Sequence, residues 1–278
     1  MTDTSANNKR IAKNTLLLYF RMLFMMAVSL YTSRVVLNAL GVEDFGIYNV
    51  VGGVVAMFSM LSGSLSAAIT RFITYELGKG NQENLKKIFS SSVTIQIGLA
   101  ILIIVVAEAI GVWFLNMKMN IPDVRITAAN WVFQFSILTF AVNLISVPYN
   151  ASIIAHERMS AFAYISILEA IGKLAIVFLI VISPMDKLIF YAILMCAVAL
   201  IVRLAYGVYC KRHFEECTYH FIFDRDLLKH MFGFAGWNFI GATSAVLRDQ
   251  GGNVVINLFC GPVSYTHLRA HETELHLV

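Results

Sequence analysis

Charged residues are scarce in this sequence. Of its 278 residues, 14% are charged and 58% are hydrophobic, whereas an ordinary soluble domain has about 25% charged and about 45–50% apolar residues. Two long stretches, residues 45–70 and 126–155, contain no Asp, Glu, Lys or Arg. This composition excludes a soluble enzyme, a disordered chain and a secreted disulfide scaffold. It also excludes an outer-membrane barrel, whose short strands would alternate apolar and polar residues.

Cysteines are few, and catalytic motifs are absent. None of the four cysteines (Cys196, Cys210, Cys217 and Cys260) has a CxxC spacing, which favours reduced structural thiols over a zinc site or a disulfide. The patterns GxSxG, GxxxxGK[ST] and HExxH do not occur. We therefore expect no enzyme activity, no bound metal and no cofactor. The net charge of +4 comes without a basic tail, so no nucleic-acid partner is expected.

The apolar residues form segments long enough to cross a membrane, which takes about 20 residues. We predict six full spans and one terminal span, at residues 14–39, 46–75, 88–115, 124–154, 160–182, 187–210 and 227–260. The expected fold class is an all-α, polytopic membrane helix bundle. Residues 1–226 would form an N-terminal lobe of six helices, and residues 227–262 the first helix of a second lobe.

Basic residues divide the connections between spans into two classes. Thirteen of them fall on the side of the N-terminus and only four on the other side. Basic residues stay on the cytoplasmic side, so we expect a cytoplasmic N-terminus and a cytoplasmic loop at residues 211–225. Residues 42–45 would then form an outer turn. The polar N-terminus does not resemble a removable signal peptide, and we expect the first span to insert the chain.

The last residues differ from the rest of the chain. Residues 263–278 have three histidines and no apolar helical face, and residues 263–273 resemble a translated transposase sequencing adapter. We expect residues 263–278 to be a non-native tail and the chain to be truncated after about residue 262. The alternative is a genuine polar tail whose histidines bind a metal.

Several charged residues lie inside the predicted spans, where they are costly and usually face a cavity or a partner. Arg21 is deep in the first span and could line a cavity that holds an anion, whereas Arg34 is nearer the outer end and could reach the interface. Glu169 and Lys173, four residues apart, could simply pair. Alternatively, Lys173 meets an anion while Glu169 balances it or titrates. Arg248 is adjacent to Asp249, and at least one of the two should face a cavity.

Uncharged polar and small residues also follow helical faces. Small residues recur every three or four positions in the second span (Gly52, Ala56, Ser59, Gly63, Ser66 and Thr70), which predicts a packing seam. The fourth span contains Asn130, Gln134 and Asn143, which could bind sugar hydroxyls or form hydrogen bonds between helices. Pro148 can loosen this helix near its end.

Several segments resemble a known family. Residues 13–53 contain an asparagine, a long apolar helix with an arginine, and then LG and FGIY. Two further segments follow in order: residues 146–174 (SVPYNASIIAHERMSAFAYISILEAIGKL) and residues 234–262 (FAGWNFIGATSAVLRDQGGNVVINLFCGP). DKLIFYAIL and YCKRHFEEC lie between them. Together these segments resemble the lipopolysaccharide biosynthesis proteins of the polysaccharide-transporter branch of the multidrug/oligosaccharidyl-lipid/polysaccharide flippase superfamily.

The resemblance implies a flippase of two lobes around a central cavity in the bacterial inner membrane. Its substrate would be a polyprenyl-pyrophosphate-linked oligosaccharide for lipopolysaccharide or capsule, with membrane lipids and other polysaccharide-assembly proteins as partners. Arg21, Arg34 and Arg248 would meet the pyrophosphate, with Lys173 as a weaker candidate and Glu169 as a coupling residue. Two alternatives remain: a cation-coupled multidrug exporter of the same superfamily, and a membrane-embedded glycosyltransferase or polymerase.

Overall fold

A computed structural model describes residues 4–56, 59–117, 121–183, 185–220 and 225–246. Every regular element in these ranges is helical, which confirms the expected all-α bundle. The helices are α1 (Thr4–Ala56), α2 (Ser59–Lys79), α3 (Gln82–Val106), α4 (Val112–Met117), α5 (Ile126–Ala155), α6 (Met159–Val181), α7 (Lys187–His213) and α8 (Arg225–Val246). A π turn (Ala107–Gly111) joins α3 to α4, and a 3-10 turn (Asp123–Arg125) precedes α5.

Five segments are long and apolar enough to cross a membrane. They are Ile11–Asn49, Gln82–Met117, Asp123–Ala155, Met159–Val181 and Lys187–His213. The predicted span at residues 46–75 contains residues 57–58, which lie outside the described ranges, and the predicted span at 227–260 is described only as far as α8 reaches. The chain is a multi-pass membrane protein.

The chain reverses direction inside α1, at Gly41. This residue has a φ of 83° and a ψ of 168°, a backbone conformation that glycine adopts without strain. Ala39 accepts a hydrogen bond from Lys187 at the start of α7, and Tyr48 then contacts Tyr191 further along α7 with ring centroids 4.7 Å apart. The part of α1 after Gly41 therefore runs back alongside α7, and the reversal begins one residue before the predicted turn at 42–45.

Helix α5 lies at the centre of the bundle and packs against α1, α2, α3 and α7. Its side chains Phe133 and Leu144 are almost completely buried, and the helix continues through Pro148 to Ala155. Helix α8 packs against α2, where Met231 is buried in an apolar cluster. The first part of α1 is much less buried against the other helices. In the most apolar window of Ile11–Asn49, only 6% of the residues are buried.

The turn between α2 and α3 is shorter than the gap between the predicted spans at 46–75 and 88–115. Helix α2 ends at Lys79 and α3 begins at Gln82. Gly80 takes a left-handed φ of 71°, and the Asn81 side chain accepts a hydrogen bond from the backbone N–H of Asn84 at 3.1 Å. A glycine followed by a capping asparagine lets one helix end and the next begin within two residues.

The packing seam expected along the small residues of the second span stays a prediction, because the side chains of Ala56 and Ser59 lie outside what the structure describes. Three of the other small residues are partly buried: Gly52, Ser66 and Thr70. The buried apolar side chains of α2, among the described residues, are Leu65, Ala68, Ile69 and Ile73. Gly63 is exposed, and no atom of a described residue lies within 4 Å of the position that a Cβ would take. Large apolar side chains, which bury more area than small ones, decided which face of α2 turns inward.

The π turn keeps one face of α3 and α4 against α5. The buried residues on this face follow one another at intervals of four: Ile103, Ala107, Gly111 and Leu115. In a regular α-helix a four-residue step advances by about 400°, so three such steps would rotate the side chain by about 120° away from α5. The wider π turn takes up an extra residue and absorbs most of that drift. At Gly111 the ring of Phe133 occupies the space that a Cβ would need.

This contact predicts a cost for any side chain at position 111. We expect Gly111→Ala to lower the free energy of unfolding by on the order of 1–2 kcal/mol, because the added methyl overlaps the Phe133 ring and forces repacking. Gly98→Ala in α3 is the matched control, since nothing lies within 4 Å of its Cβ position. Thermal unfolding of the purified variants measures both, and equal stability for the two would contradict the close approach.

Contacts made by the turns define two ends of the bundle. At the first, His156 pairs with Glu216 and Thr94 is hydrogen-bonded to Tyr219; most basic residues of the connections belong to this side, and we name it the basic end. At the second, which we name the opposite end, Arg125 pairs with Asp44 and Asp186.

Candidate functional site

Arg21 is held between α1 and α6. Its Nε donates a hydrogen bond to the Ser166 hydroxyl at 2.7 Å, and its guanidinium stacks over the Phe162 ring at 4.1 Å. Within the described ranges, no carboxylate pairs with Arg21, and neither terminal nitrogen has a hydrogen-bond acceptor. The Nε–H group and one face of the guanidinium are therefore in contact with α6. The two terminal nitrogens, which form the fork of the guanidinium, remain available to an anion.

Helix α6 presents a polar face next to this arginine. Lys173 donates a hydrogen bond to Glu169 at 2.6 Å, so the two residues form the expected pair, with about a third of each side chain exposed. Glu169 and Arg21 both act electrostatically on Tyr206 of α7. Arg21, Glu169 and Lys173 thus belong to one neighbourhood, formed where α1, α6 and α7 meet, and we name it the α1–α6–α7 site.

Of the other two predicted cations, Arg34 lies away from this site and Arg248 is not among the described residues. Arg34 is 13 residues from Arg21, about 20 Å along the helix at 1.5 Å per residue, and it is exposed. It makes no hydrogen bond or ion pair with any described residue. Arg248 lies outside the described residues, as does its neighbour Asp249.

The three amides of the fourth predicted span have different surroundings. Asn130 exchanges hydrogen bonds with Asn116 of α4 at 3.1–3.2 Å, which confirms a link between helices at that position. Gln134 is exposed. Asn143 lines a cavity of about 200 Å³ together with Tyr48, Thr139 and other residues of α1, α5 and α7. Its uncharged polar lining suits hydroxyl groups better than a phosphate.

An ion-pair cluster at the opposite end was not foreseen from the sequence. Arg125 donates to Asp44 at 2.7 Å and also pairs with Asp186. Asp186 in turn caps α7 by accepting the backbone N–H of Leu188 at 3.0 Å. The Asp44 side chain is 7% exposed, whereas Arg125 and Asp186 are each 32% exposed. The cluster joins three turns, and both terminal nitrogens of Arg125 are paired with carboxylates. This arrangement indicates a structural role.

The basic end has its own buried acid. Glu216 is 2% exposed and pairs with His156, whose ring stacks on Phe214 at 4.1 Å. Burial raises the pKa of Glu216, but hydrogen bonds from His156 and the backbone outweigh it and hold that pKa below the usual 4.5. The stabilisation from this carboxylate is therefore present above about pH 4.5 and is lost as the pH falls through the lowered value.

The neighbouring thiols are buried and unreactive. A hydrogen bond between the Cys217 and Cys210 side chains, together with burial, raises the pKa of the Cys217 thiol well above its usual range. Both cysteines and Cys196 are free thiols. A protonated, buried thiol is a poor nucleophile and a poor metal ligand, and no group of metal-binding side chains occurs among the described residues.

Two residues of the α1–α6–α7 site were missed in the sequence analysis. Ser166 and Phe162, which position Arg21, were not candidates because neither is charged. Their spacing carries a signal: Phe162, Ser166, Glu169 and Lys173 follow one another at intervals of four, three and four residues, which is one face of a helix. A search for polar residues that share a face with Glu169 would have found Ser166.

Comparisons with known proteins agree with this architecture. The chain matches the model of the family "Polysaccharide biosynthesis protein" over residues 11–276. No curated protein matches it. Among solved structures it is similar to a MOP superfamily transporter from Pyrococcus furiosus, with a TM-score of 0.65 and 14% identity. The match covers 95% of this chain and 60% of the Pyrococcus chain, and at this identity it shows a shared fold.

Proposed function

Since the chain belongs to the polysaccharide biosynthesis protein family, we propose that it forms part of a flippase for lipid-linked oligosaccharides. The substrate would be a polyprenyl-pyrophosphate-linked repeat unit, moved across the bacterial inner membrane for lipopolysaccharide or capsule. Its headgroup cannot cross about 30 Å of hydrocarbon unaided. A polar cavity solves this problem if the lipid tail stays in the bilayer while the headgroup passes through.

The observation that supports this function best is that the two terminal nitrogens of Arg21 have no partner among the described residues. An arginine in hydrocarbon costs about 2.5–3.5 kcal/mol on insertion scales, and the Ser166 contact uses only its Nε. Two parallel N–H groups suit a phosphate, which accepts forked hydrogen bonds. We assign Arg21 to the substrate pyrophosphate. A site for a cationic drug would instead favour acidic and aromatic residues.

The other candidates take secondary roles in this proposal. Arg34 and Arg248 would meet the pyrophosphate at other stages of its passage, as the resemblance implies. Lys173 is neutralised by Glu169 (Nζ–Oε1 2.6 Å), so it becomes available only when Glu169 is protonated or moves. Glu169 is accordingly our candidate for coupling transport to protons.

The proposed cavity needs a second lobe. We propose that residues 1–226 form the first lobe, that residues 227–262 begin the second, and that residues 263–278 form a non-native tail. The chain spans 60% of the length of the Pyrococcus transporter, and repeated lobes that rock around a midplane site are a general plan of transporters. Transport is therefore proposed for a protein that contains both lobes.

Complementation tests the function directly. A gene that carries this chain together with a second lobe should restore surface polysaccharide to a bacterial strain that lacks its own flippase. An empty vector and the known flippase gene provide the two limits. If the gene restores resistance to cationic drugs and leaves polysaccharide export unchanged, the chain belongs to a multidrug exporter and the proposal is wrong.

The proposed orientation can be tested with engineered cysteines. Native Cys217 is a poor reporter because it is buried, so we choose the exposed Glu215 at the basic end and Val124, which is 91% exposed, at the opposite end. In a background without native cysteines, an impermeant thiol reagent should label Val124→Cys in intact cells. Glu215→Cys should be labelled only after permeabilisation.

The reverse pattern would contradict a cytoplasmic basic end. Labelling of both variants after permeabilisation is the control that shows each cysteine to be reactive.

A further inference from the structure

A pocket of about 460 Å³ lies at the basic end, beside α7. Its walls come from the end of α5, the second half of α7 and residues 217–219, and no described residue of α1 or α6 lines it. The pocket is therefore separate from the α1–α6–α7 site. Its volume falls in the range of about 300–1,000 Å³ that is typical of ligand sites.

Two cations line this pocket, Arg203 and Lys211. The Arg203 guanidinium stacks over the Tyr149 ring at 3.9 Å, and Lys211 lies two turns further along the same face of α7. In the part of the chain that the structure describes, neither cation pairs with a carboxylate. The nearby carboxylate of Glu216 is already paired with His156. The pocket therefore has a net positive charge.

The backbone of α7 makes room for the arginine. Gly207 also lines the pocket, and a Cβ at that position would lie 3.0 Å from the Nη1 atom of Arg203. A larger residue at 207 would crowd the guanidinium away from its place over Tyr149. The lack of a side chain at 207 thus helps to hold the positive charge at the pocket wall.

The rim of the pocket is apolar on one side. Leu204 is 67% exposed and Val208 is 51% exposed, and both lie on α7 and line the pocket. On the other side, Thr218 and Tyr219 provide hydroxyl groups, of which Tyr219 is hydrogen-bonded to Thr94. Cations and hydroxyls beside an apolar rim suit an amphiphile that has an anionic headgroup.

We propose that this pocket binds the phosphate headgroup of an anionic phospholipid from the leaflet at the basic end. Arg203 and Lys211 contact the phosphate, and the acyl chains lie along Leu204 and Val208. Basic pockets between membrane helices bind such headgroups because their cations attract the negatively charged phosphate. The proposal concerns a resident lipid and does not depend on the transport substrate.

Native mass spectrometry of the full chain, purified in a neutral detergent, tests the proposal. We expect dioleoylphosphatidylglycerol to bind at one saturable site and dioleoylphosphatidylcholine to bind at least tenfold more weakly. Arg203→Gln and Lys211→Gln should each weaken phosphatidylglycerol binding by about tenfold, which corresponds to about 1.4 kcal/mol. Arg212→Gln is the matched control, because it removes the same charge from the next residue of α7 but does not line the pocket.

The design separates a lipid site from other causes. Lys211 is exposed, so its substitution tests the site even if Arg203→Gln impairs folding, and Arg203→Lys should recover part of the affinity. An equal loss in Arg212→Gln would indicate general charge attraction and overturn the proposal. Displacement of the lipid by millimolar inorganic phosphate would assign the pocket to a soluble anion. Tighter binding of farnesyl pyrophosphate than of phosphatidylglycerol would assign it to the transport substrate.

Discussion

Arg21→Ala should lower polysaccharide export per molecule by about 100-fold or more in the two-lobe protein, while membrane abundance stays near that of the wild type. The variant loses a guanidinium whose two terminal nitrogens have no partner among the described residues. The Nε of the same group donates a hydrogen bond to Ser166 at 2.7 Å. A hydrogen bond to a charged group contributes about 1.5–3 kcal/mol, and each 1.4 kcal/mol is a factor of about ten. Two such bonds to a pyrophosphate account for the expected loss.

Two further variants separate substrate binding from a structural role of Arg21. Arg21→Lys should restore export only in part, since an ammonium keeps the charge but loses the forked geometry. Lys13→Ala removes a cation from an exposed position of the same helix and should leave export unchanged. Export is measured as surface polysaccharide divided by protein in the membrane. If Arg21→Ala exports at the wild-type rate per molecule, the assignment is wrong and Lys173 or Arg248 becomes the next candidate.

Arg125→Ala should lower the free energy of unfolding by on the order of 3 kcal/mol. The substitution leaves the Asp44 carboxylate, 7% exposed, without its cation, and removal of one partner from a buried ion pair is strongly destabilising. It also releases Asp186, which caps α7. Titration of the purified protein with SDS, followed by the loss of helical signal, measures the change.

Lys187→Ala is the control for the loss of a cation at the opposite end. Lys187 is exposed, and its described contact is a long hydrogen bond of 3.4 Å to the Ala39 carbonyl. If Lys187→Ala lost as much stability as Arg125→Ala, the ion pairs of Arg125 would not be the cause of the loss. The double variant Asp44→Asn/Arg125→Ala should be less destabilised than the sum of its single variants, because a neutral amide at position 44 no longer needs the cation.

The sequence was sufficient for the spans whose ends carry local signals. Helices α6 and α7 begin within one residue of the predicted positions, since Asp186 caps the second and a short polar turn precedes the first. The start of α3 was predicted six residues late, because the apolar run begins at Ile88 whereas the helix begins at Gln82, directly after its cap Asn81. Apolar content locates the membrane segment, and the caps determine where the helix ends.

The site was predictable in part. The depth of Arg21 and the four-residue spacing of Glu169 and Lys173 are properties of single helices, and both led to residues that the structure places in one neighbourhood. The partners Ser166 and Tyr206 depend on which helices become neighbours, and no single-helix pattern specifies that. The Arg125 cluster is harder still, since its members lie in three turns that are far apart in the chain.

The π turn between α3 and α4 determines how this lobe tolerates changes in chain length. A shift of one residue in a helix rotates everything beyond it by about 100°, and the π turn already holds one such extra residue. Deletion of a single residue within Ala107–Gly111 would convert the turn to regular α-helix and preserve the orientation of both flanks. The same deletion in the middle of α5 would rotate half of its buried face, including Phe133 or Leu144, towards lipid. Natural variation in length should therefore concentrate at the π turn and be rare within α5.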